Sequence, residues 1–308
     1  MRLGAFELNE PLPGLKNTHA LAMLRPWIDI GSVGSLVMSW LETQYAAKDL
    51  GKLARPGEFF DFTRYRPTTY VQDGQRQMAI PNTTVTYSKP IQQVQGKQEN
   101  GNDFLFLHLL EPHNHSEDYV ESMLQLLQRF NVTRYCLLGS MYDYMPHTRP
   151  LLVTGTMGGQ RTQQEANRLN VRRSGYQGPT TITSLISQMA APLGIEIMSL
   201  IVHLPQYTQL DEDYMGAVRL METFGGLYGA KPDQSYITKA EKQREQIDST
   251  LNENAQLKAI VEQLENHYDV RAERRREEET PKLSPEIEKF LAEMDKRFRD
   301  EPGTSRQD

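Results

Sequence analysis

Cysteine is almost absent from this 308-residue chain, with Cys136 standing alone. A single thiol cannot close an intrachain disulfide, which excludes the stapled secretory scaffolds and fits a reducing cytoplasm. Its apolar surroundings read as those of a small core residue. A basic excess is missing too: the net charge is −6, so the chain lacks the electrostatic footprint of a nucleic-acid binder. No apolar run approaches the ~20 residues of a membrane span. The amino-terminal segment mixes Arg2, Glu7, Glu10 and Lys16 with Pro11 and Pro13 instead of forming a leader's apolar stretch. Neither export nor membrane insertion is expected. Cysteine pairs, an H-E-x-x-H helix and a G-x-S-x-G elbow are also lacking. His113 and His115 therefore read as polar loop residues, Ser140 as a locally bonded hydroxyl, and no metal or cofactor is expected.

What the chain does contain is an alternation of short apolar runs and helix-period segments. Ala20–Leu24, Asp103–Glu111, Thr133–Gly139 and Gly194–His203 read as buried strands. Ser35–Tyr45, Ser116–Phe130, Thr181–Ala191 and Asp211–Phe224 read as the helices between and after them. Strand, helix, strand implies a parallel crossover unit. Between Glu58 and Thr86, aromatic and β-branched residues alternate with polar ones around Gln72-Asp-Gly-Gln75, which predicts antiparallel strands turning at Asp73-Gly74. The fold class is α/β.

Near Pro232 the composition changes abruptly. From Lys239 to Asp308 the chain holds 14 Lys/Arg against 18 Asp/Glu, no Trp, and a single glycine, Gly303. That composition cannot build a second globular core, so residues 1–232 read as the body and 233–308 as a charged helical extension of two helices, about 236–279 and 284–301. Ile247, Asn254, Leu257, Val261, Leu264 and Tyr268 follow a heptad seam, with Asn254 at a position where a coiled coil uses one polar residue to fix register. Ser284 with Pro285 forms a helix-start signal for the second. Arg274–Arg276 faces Glu277–Glu279, which cancels its field beyond about one Debye length.

In open α/β sheets, ligands sit in the crevice beyond the carboxyl ends of the strands. The loops predicted there carry Trp27, Asp29 and Gly31, then Glu111-Pro112, then Pro146-His147-Thr148-Arg149-Pro150, and Tyr207. Pro146 and Pro150 stiffen their loop, so its imidazole and guanidinium lose little entropy when aimed. The Gly31/Gly34 turn before a helix suits close approach of an anion to unpaired amides, but its spacing matches neither nucleotide-binding glycine motif. The same glycines also suit plain helix-to-strand packing.

Trp27-x-Asp29-x-Gly31, Asp61-Phe-x-x-x-Arg66-Pro67, Glu111-Pro112, Pro146-His-Thr-Arg-Pro150 with Val153-Thr154, Gly178-Pro179-Thr180 and His203-x-Pro205-x-Tyr207 occur in this order. Together they resemble the bacterial branch of the proteasome assembly chaperone 2 family over roughly residues 20 to 230. The resemblance implies a three-layer α/β/α body akin to the nucleoside phosphorylase and hydrolase fold, homo-oligomeric with a trimer favoured, and a variable helical extension. It implies no reaction.

Two functions follow from different classes. The first is a non-enzymatic, cytoplasmic assembly or scaffold protein that self-associates and engages an unidentified protein partner through residues 239–308. The second is a nucleosidase-like hydrolase or small-molecule binder whose crevice gathers Trp27, Asp29, Gly31, Arg66, Glu111, His147, Thr148, Arg149, Thr180 and Tyr207. There Asp29 or Glu111 would be the carboxylate, His147 the proton donor, and Arg149 or Arg66 a clamp for an anionic group. Structural roles for the same residues are an ion pair of Arg149 with Asp143 or Glu111, a His147 bond to a loop carbonyl, Trp27 in the core, and Arg66 at an oligomer interface.

Overall fold

The computed structural model describes residues 1–89 and 101–279. The helix expected at 284–301 lies outside them. Eleven strands form one mixed sheet: β1 (Arg2–Leu3), β2 (Phe6–Leu8), β3 (Thr18–Arg25), β4 (Lys48–Leu53), β7 (Thr84–Ser88), β8 (Phe104–Leu110), β9 (Val132–Asp143), β10 (Val153–Gly155), β11 (Met157–Gly158), β12 (Arg172–Arg173) and β13 (Glu196–Pro205). A separate hairpin joins β5 (Thr68–Gln72) to β6 (Gln75–Ala79). Asp73 and Gly74 turn it, both at positive φ, 50° and 75°, as a two-residue turn matched to strand twist requires. The helices are α1 (Val33–Gln44), α2 (Ser116–Arg129), α3 (Gln160–Arg168), α4 (Ile182–Ala190), α5 (Tyr214–Tyr228), α6 (Gln234–Glu253) and α7 (Ala255–Glu279).

The sheet order is β1-β2-β4-β7-β8-β3-β9-β13-β10-β12, with β11 beside β13. Its centre, β8-β3-β9-β13, is parallel, while β7, β4, β2 and β1 extend one side antiparallel. The crossover through α2 carries the chain from β8 past β3 to β9, so the two strands it joins are not neighbours.

Strand alternation sorts the core into two layers. Ala20, Ala22, Leu24, Leu105, Leu107, Leu109, Tyr135 and Leu137 face α2 and α4, meeting Tyr119, Met123, Leu126 and Ile186. Leu21, Met23, Phe104, Phe106, Cys136, Leu138, Met198 and Leu200 face the other way, onto α1, α3 and α5, against Val37, Leu41, Ala166, Leu220 and Phe224. Helices thus cover both faces of the central strands, and this double burial explains why those strands read as continuous apolar runs. Cys136 is a fully buried thiol that burial pushes up to about 12.

Beyond α5 the chain turns back. Asp233 caps α6, its side chain accepting from the Ser235 amide at 2.7 Å. Tyr236 packs on the α1/α5 core layer, and Leu251 is buried. Where the sequence predicts one helix over 236–279, two are found, broken at Asn254. Asn254 takes φ −126°, ψ 97°, and its side chain accepts from the Leu257 amide at 3.1 Å. It works as a helix cap at this position, a role asparagine fills well.

Candidate functional site

The residues expected to share one crevice fall into separate bonded groups. At the first corner, Asp29 lies in the turn between β3 and α1. Its carboxylate accepts from the Ser35 amide at 3.0 Å and the Ser35 hydroxyl at 2.6 Å, satisfying the first turn of α1. Burial pushes its pKa up, and the Ser35 hydrogen bonds act against that rise. Ser140 fastens the turn to β9: its amide donates to the Ile28 carbonyl and its hydroxyl to the Ile30 carbonyl at 2.6 Å. Gly31 has φ 58°, and a Cβ there would stand 2.7 Å from the Asp213 Cβ, so this glycine serves close packing of the turn on the start of α5. Trp27 is 65% exposed beside this corner.

Glu111, just past β8, forms the second group. Both of its carboxylate oxygens accept from the Ile182 amide, at 2.9 and 3.2 Å. An anion at the amino end of α4 satisfies an orphan N–H and complements the helix dipole. Burial raises its pKa, opposed by that amide. Thr180 is exposed, and its hydroxyl bonds that of Ser184 one turn on. Arg66 is exposed in the loop before β5.

The third group is the Pro-flanked loop. His147 is buried; its amide donates to the Tyr207 hydroxyl at 2.8 Å, and its Nδ1 lies 2.5 Å from the same oxygen. Nε2 lies 3.0 Å from Asp248 Oδ1 on α6. These partners assign the tautomer: Tyr207 donates to Nδ1 and Nε2–H donates to Asp248. Burial pushes the Tyr207 hydroxyl up to about 12. Arg149 makes a bidentate pair with Asp269 on α7, Nε to Oδ1 at 3.0 Å and Nη2 to Oδ2 at 2.8 Å, and adds Glu265 at 3.1 Å. Thr148 also donates to Glu265, and Tyr268 donates to the Pro150 carbonyl at 3.1 Å. The Asp269 hydrogen bond holds the guanidinium firmly charged.

Three of the structural roles expected from sequence are not found. Arg149 pairs with neither Asp143 nor Glu111, His147 bonds a tyrosine and a carboxylate in place of a loop carbonyl, and Trp27 is outside the core. Asp143 instead serves His203: Nδ1 lies 2.8 Å from Asp143 Oδ2, and Nε2 lies 2.8 Å from Thr154 Oγ1. That bond holds the Asp143 carboxyl below its ordinary range. An open hollow of about 530 Å³, lined by Phe60, Asp61, Arg64 and His113 among others, includes none of the expected crevice residues.

Sequence reasoning missed Asp248, Glu265, Tyr268 and Asp269, the partners that α6 and α7 supply. One signal was available: Glu265, Tyr268 and Asp269 stand at i, i+3 and i+4, so they share a helix face. No described helix is long and apolar enough to cross a membrane.

The PAC2 family model matches residues 23–253. Among solved structures, the chain is similar to a Mycobacterium tuberculosis protein of unknown function, at 22% identity and a TM-score of 0.74, over 89% of this chain and 93% of that one. It is similar to a proteasome-assembly chaperone homologue from the same organism, at 19% identity and a TM-score of 0.67, over 79% and 99%. It also resembles PbaB of Pyrococcus furiosus, an archaeal proteasome activator, at 14% identity and a TM-score of 0.61, over 80% and 97%. These identities speak for a shared fold. No curated protein matches the chain.

Proposed function

Because the chain belongs to the PAC2 family, we propose that it is an assembly-chaperone-like protein that acts by binding other proteins and catalyses no reaction. The observation that carries this reading is the fate of the ionisable groups a hydrolase would need. Asp29 and Glu111 cap helices, His147 links Tyr207 to Asp248, and Arg149 is taken up by Asp269 and Glu265. A general acid or nucleophile-positioning carboxylate must reach substrate, and these are spent on backbone amides or on the chain's own helices. The relatives described as a proteasome-assembly chaperone homologue and a proteasome activator support proteasome-type subunits as the partner class.

In this reading the protein works in the cytoplasm as a homo-oligomer, a trimer by family resemblance, and its extension from 239 onward meets the partner. Ile260 and Val270, each about half exposed on α7, offer apolar contacts there. The test is co-expression with the proteasome subunits of the source organism, following half-assembled and complete particles by native gel. Faster accumulation of complete particles, dependent on Ile260 and Val270, is expected. Unchanged assembly with no stable complex would reject the reading. The nucleosidase-like alternative has no observation in its favour; base release from a nucleoside panel above an Asp29→Asn control would revive it.

A further inference from the structure

Charge complementarity between the Pro-flanked loop and α7 defines a receptor for an acidic helix. The loop is preformed: Met145 and His147 are buried, and the Tyr207 hydroxyl holds the His147 backbone. It presents one guanidinium, one hydroxyl and the Pro150 carbonyl. A single face of α7 answers all of them, Asp269 taking Arg149 in a fork, Glu265 taking Arg149 and Thr148, and Tyr268 donating to Pro150. Bidentate guanidinium–carboxylate pairing gives such a contact its geometric selectivity.

The rest of α7 is lightly held. Among its residues with described side chains only Val261 is buried. An open hollow of about 280 Å³, lined mostly by polar residues (Thr148, Asp248, Lys258 and Glu265 among them) together with Leu251 and Val261, lies at the elbow of α6 and α7. Leu251 and Val261 are the buried apolar residues described at this elbow, so parting the seam forfeits little. The elbow itself is one residue. Asn254 alone departs from helical geometry between α6 and α7, with Ile247 of the heptad seam on one side and Leu257, Val261 and Leu264 on the other. Returning Asn254 to helical φ/ψ would extend α6 through Glu279, carrying the Glu265–Tyr268–Asp269 face away from its own loop.

We infer that α7 is exchanged between copies of this chain: straightened at Asn254, it docks its Glu265–Tyr268–Asp269 face on the His147–Pro150 loop of a second copy. The bonds that Glu265, Tyr268 and Asp269 make with the loop within one chain are made again across two, so exchange gives up little beyond the Asn254 cap, and a short hinge between otherwise unchanged elements is the usual requirement for swapping. The inference rests on the self-association proposed above and specifies how it occurs.

Bis-maleimide cross-linking tests it on the full-length chain. Cys136 is fully buried and stays silent. Thr148→Cys and Glu265→Cys are made as separate variants and mixed, with the double variant as a reach control and light scattering of the unmodified chain alongside. A covalent heterodimer in the mixture, absent from either variant alone, is expected. Asn254→Ala, which removes the cap and restores a helix former, should raise its yield at least about threefold. If the double variant closes within one chain while the mixture yields no heterodimer, exchange is wrong; an oligomeric mass in that case leaves self-association standing. A monomeric mass overturns both. Far-UV circular dichroism matching the parent chain, together with closure of the double variant, excludes misfolding as the reason for a negative mixture.

Discussion

In the sheet body Leu21, Met23, Phe106 and Phe224 are fully enclosed, whereas α7 encloses Val261 and reaches the body through Glu265, Tyr268 and Asp269. Both regions are built on regular helices or strands, so secondary structure does not separate them. The kind of contact does. Apolar burial contributes roughly 25 cal/mol per Å² and is not screened by salt. Partly exposed ion pairs contribute little and are screened by salt. The difference teaches that the body specifies the fold, while α7 is held by selective contacts of modest strength, the combination a replaceable segment needs.

The sharpest way to establish the contrast is to damage the body. Phe106 contacts the α1/α5 layer from the centre of β8, with Phe104 beside it at a ring separation of 6.0 Å. Phe106→Ala should cost about 3–5 kcal/mol, since the cavity adds to the lost transfer free energy. Urea unfolding measures this; a loss under about 1 kcal/mol would mean that the two-layer core is far less tightly packed than its burial implies.

Next in size is the body's buried cation. Arg134, third residue of β9, has 1% side-chain exposure, bonding Glu196 at 2.9 and 2.7 Å and pairing with Glu165 of α3 at 2.8 Å. Arg134→Leu removes the guanidinium and leaves two half-sheltered carboxylates facing each other, which should destabilise by about 3 kcal/mol. Adding Glu165→Gln and Glu196→Gln should recover part of that loss. If the triple variant is no more stable than Arg134→Leu alone, the stranded carboxylates are not the cause.

The central strands were legible in the sequence because double burial writes a continuous apolar run, as in Phe104–Leu110. The Asp73-Gly74 turn was legible because its backbone demands those residue types. The hairpin β1–β2 was not, since two or three residues carry no period. Nor was β4, whose Lys-Asp-Leu-Gly-Lys-Leu reads as a solvated stretch. Asn254 carried two meanings: a seam residue and a cap share one identity, and only the surrounding packing separates them. For the site, the loops were found but their partners were not. Arg149 meets Asp269 120 residues downstream, and nothing local to Pro146–Pro150 encodes that pairing. Asp29 and Glu111 looked catalytic because buried carboxylates near glycine and proline turns look alike whether they face a substrate or a helix amide.

Arg149→Ala should leave the urea midpoint of the body unchanged while raising amide exchange along α7 well above that of α5. Those two helices make an internal comparison, because both are regular and only one has an apolar floor. Equal protection of α7 and α5 in the variant would show that the seam around Leu251 and Val261 holds α7 without its ion pairs.

The smallest effect is the response to acid, and its sign follows from Asp269. The Arg149 hydrogen bond holds this carboxyl below its ordinary range, weak desolvation opposes that, and the guanidinium charge adds to the lowering. A folded value below the unfolded one, about 3.9, means that the contribution is complete above the ordinary carboxylate range and is lost as pH falls through the depressed folded value. Protection factors in α7 should therefore be level from pH 7 to about pH 5 and fall only in stronger acid. Salt at neutral pH should lower them sooner, because about 1 M salt shortens the screening length to roughly 3 Å, comparable with the ion-pair separations themselves. Protection in α5 should follow neither change. A drop in α7 protection between pH 7 and 5 with no response to salt would show that the Arg149–Asp269 pair is not what holds α7.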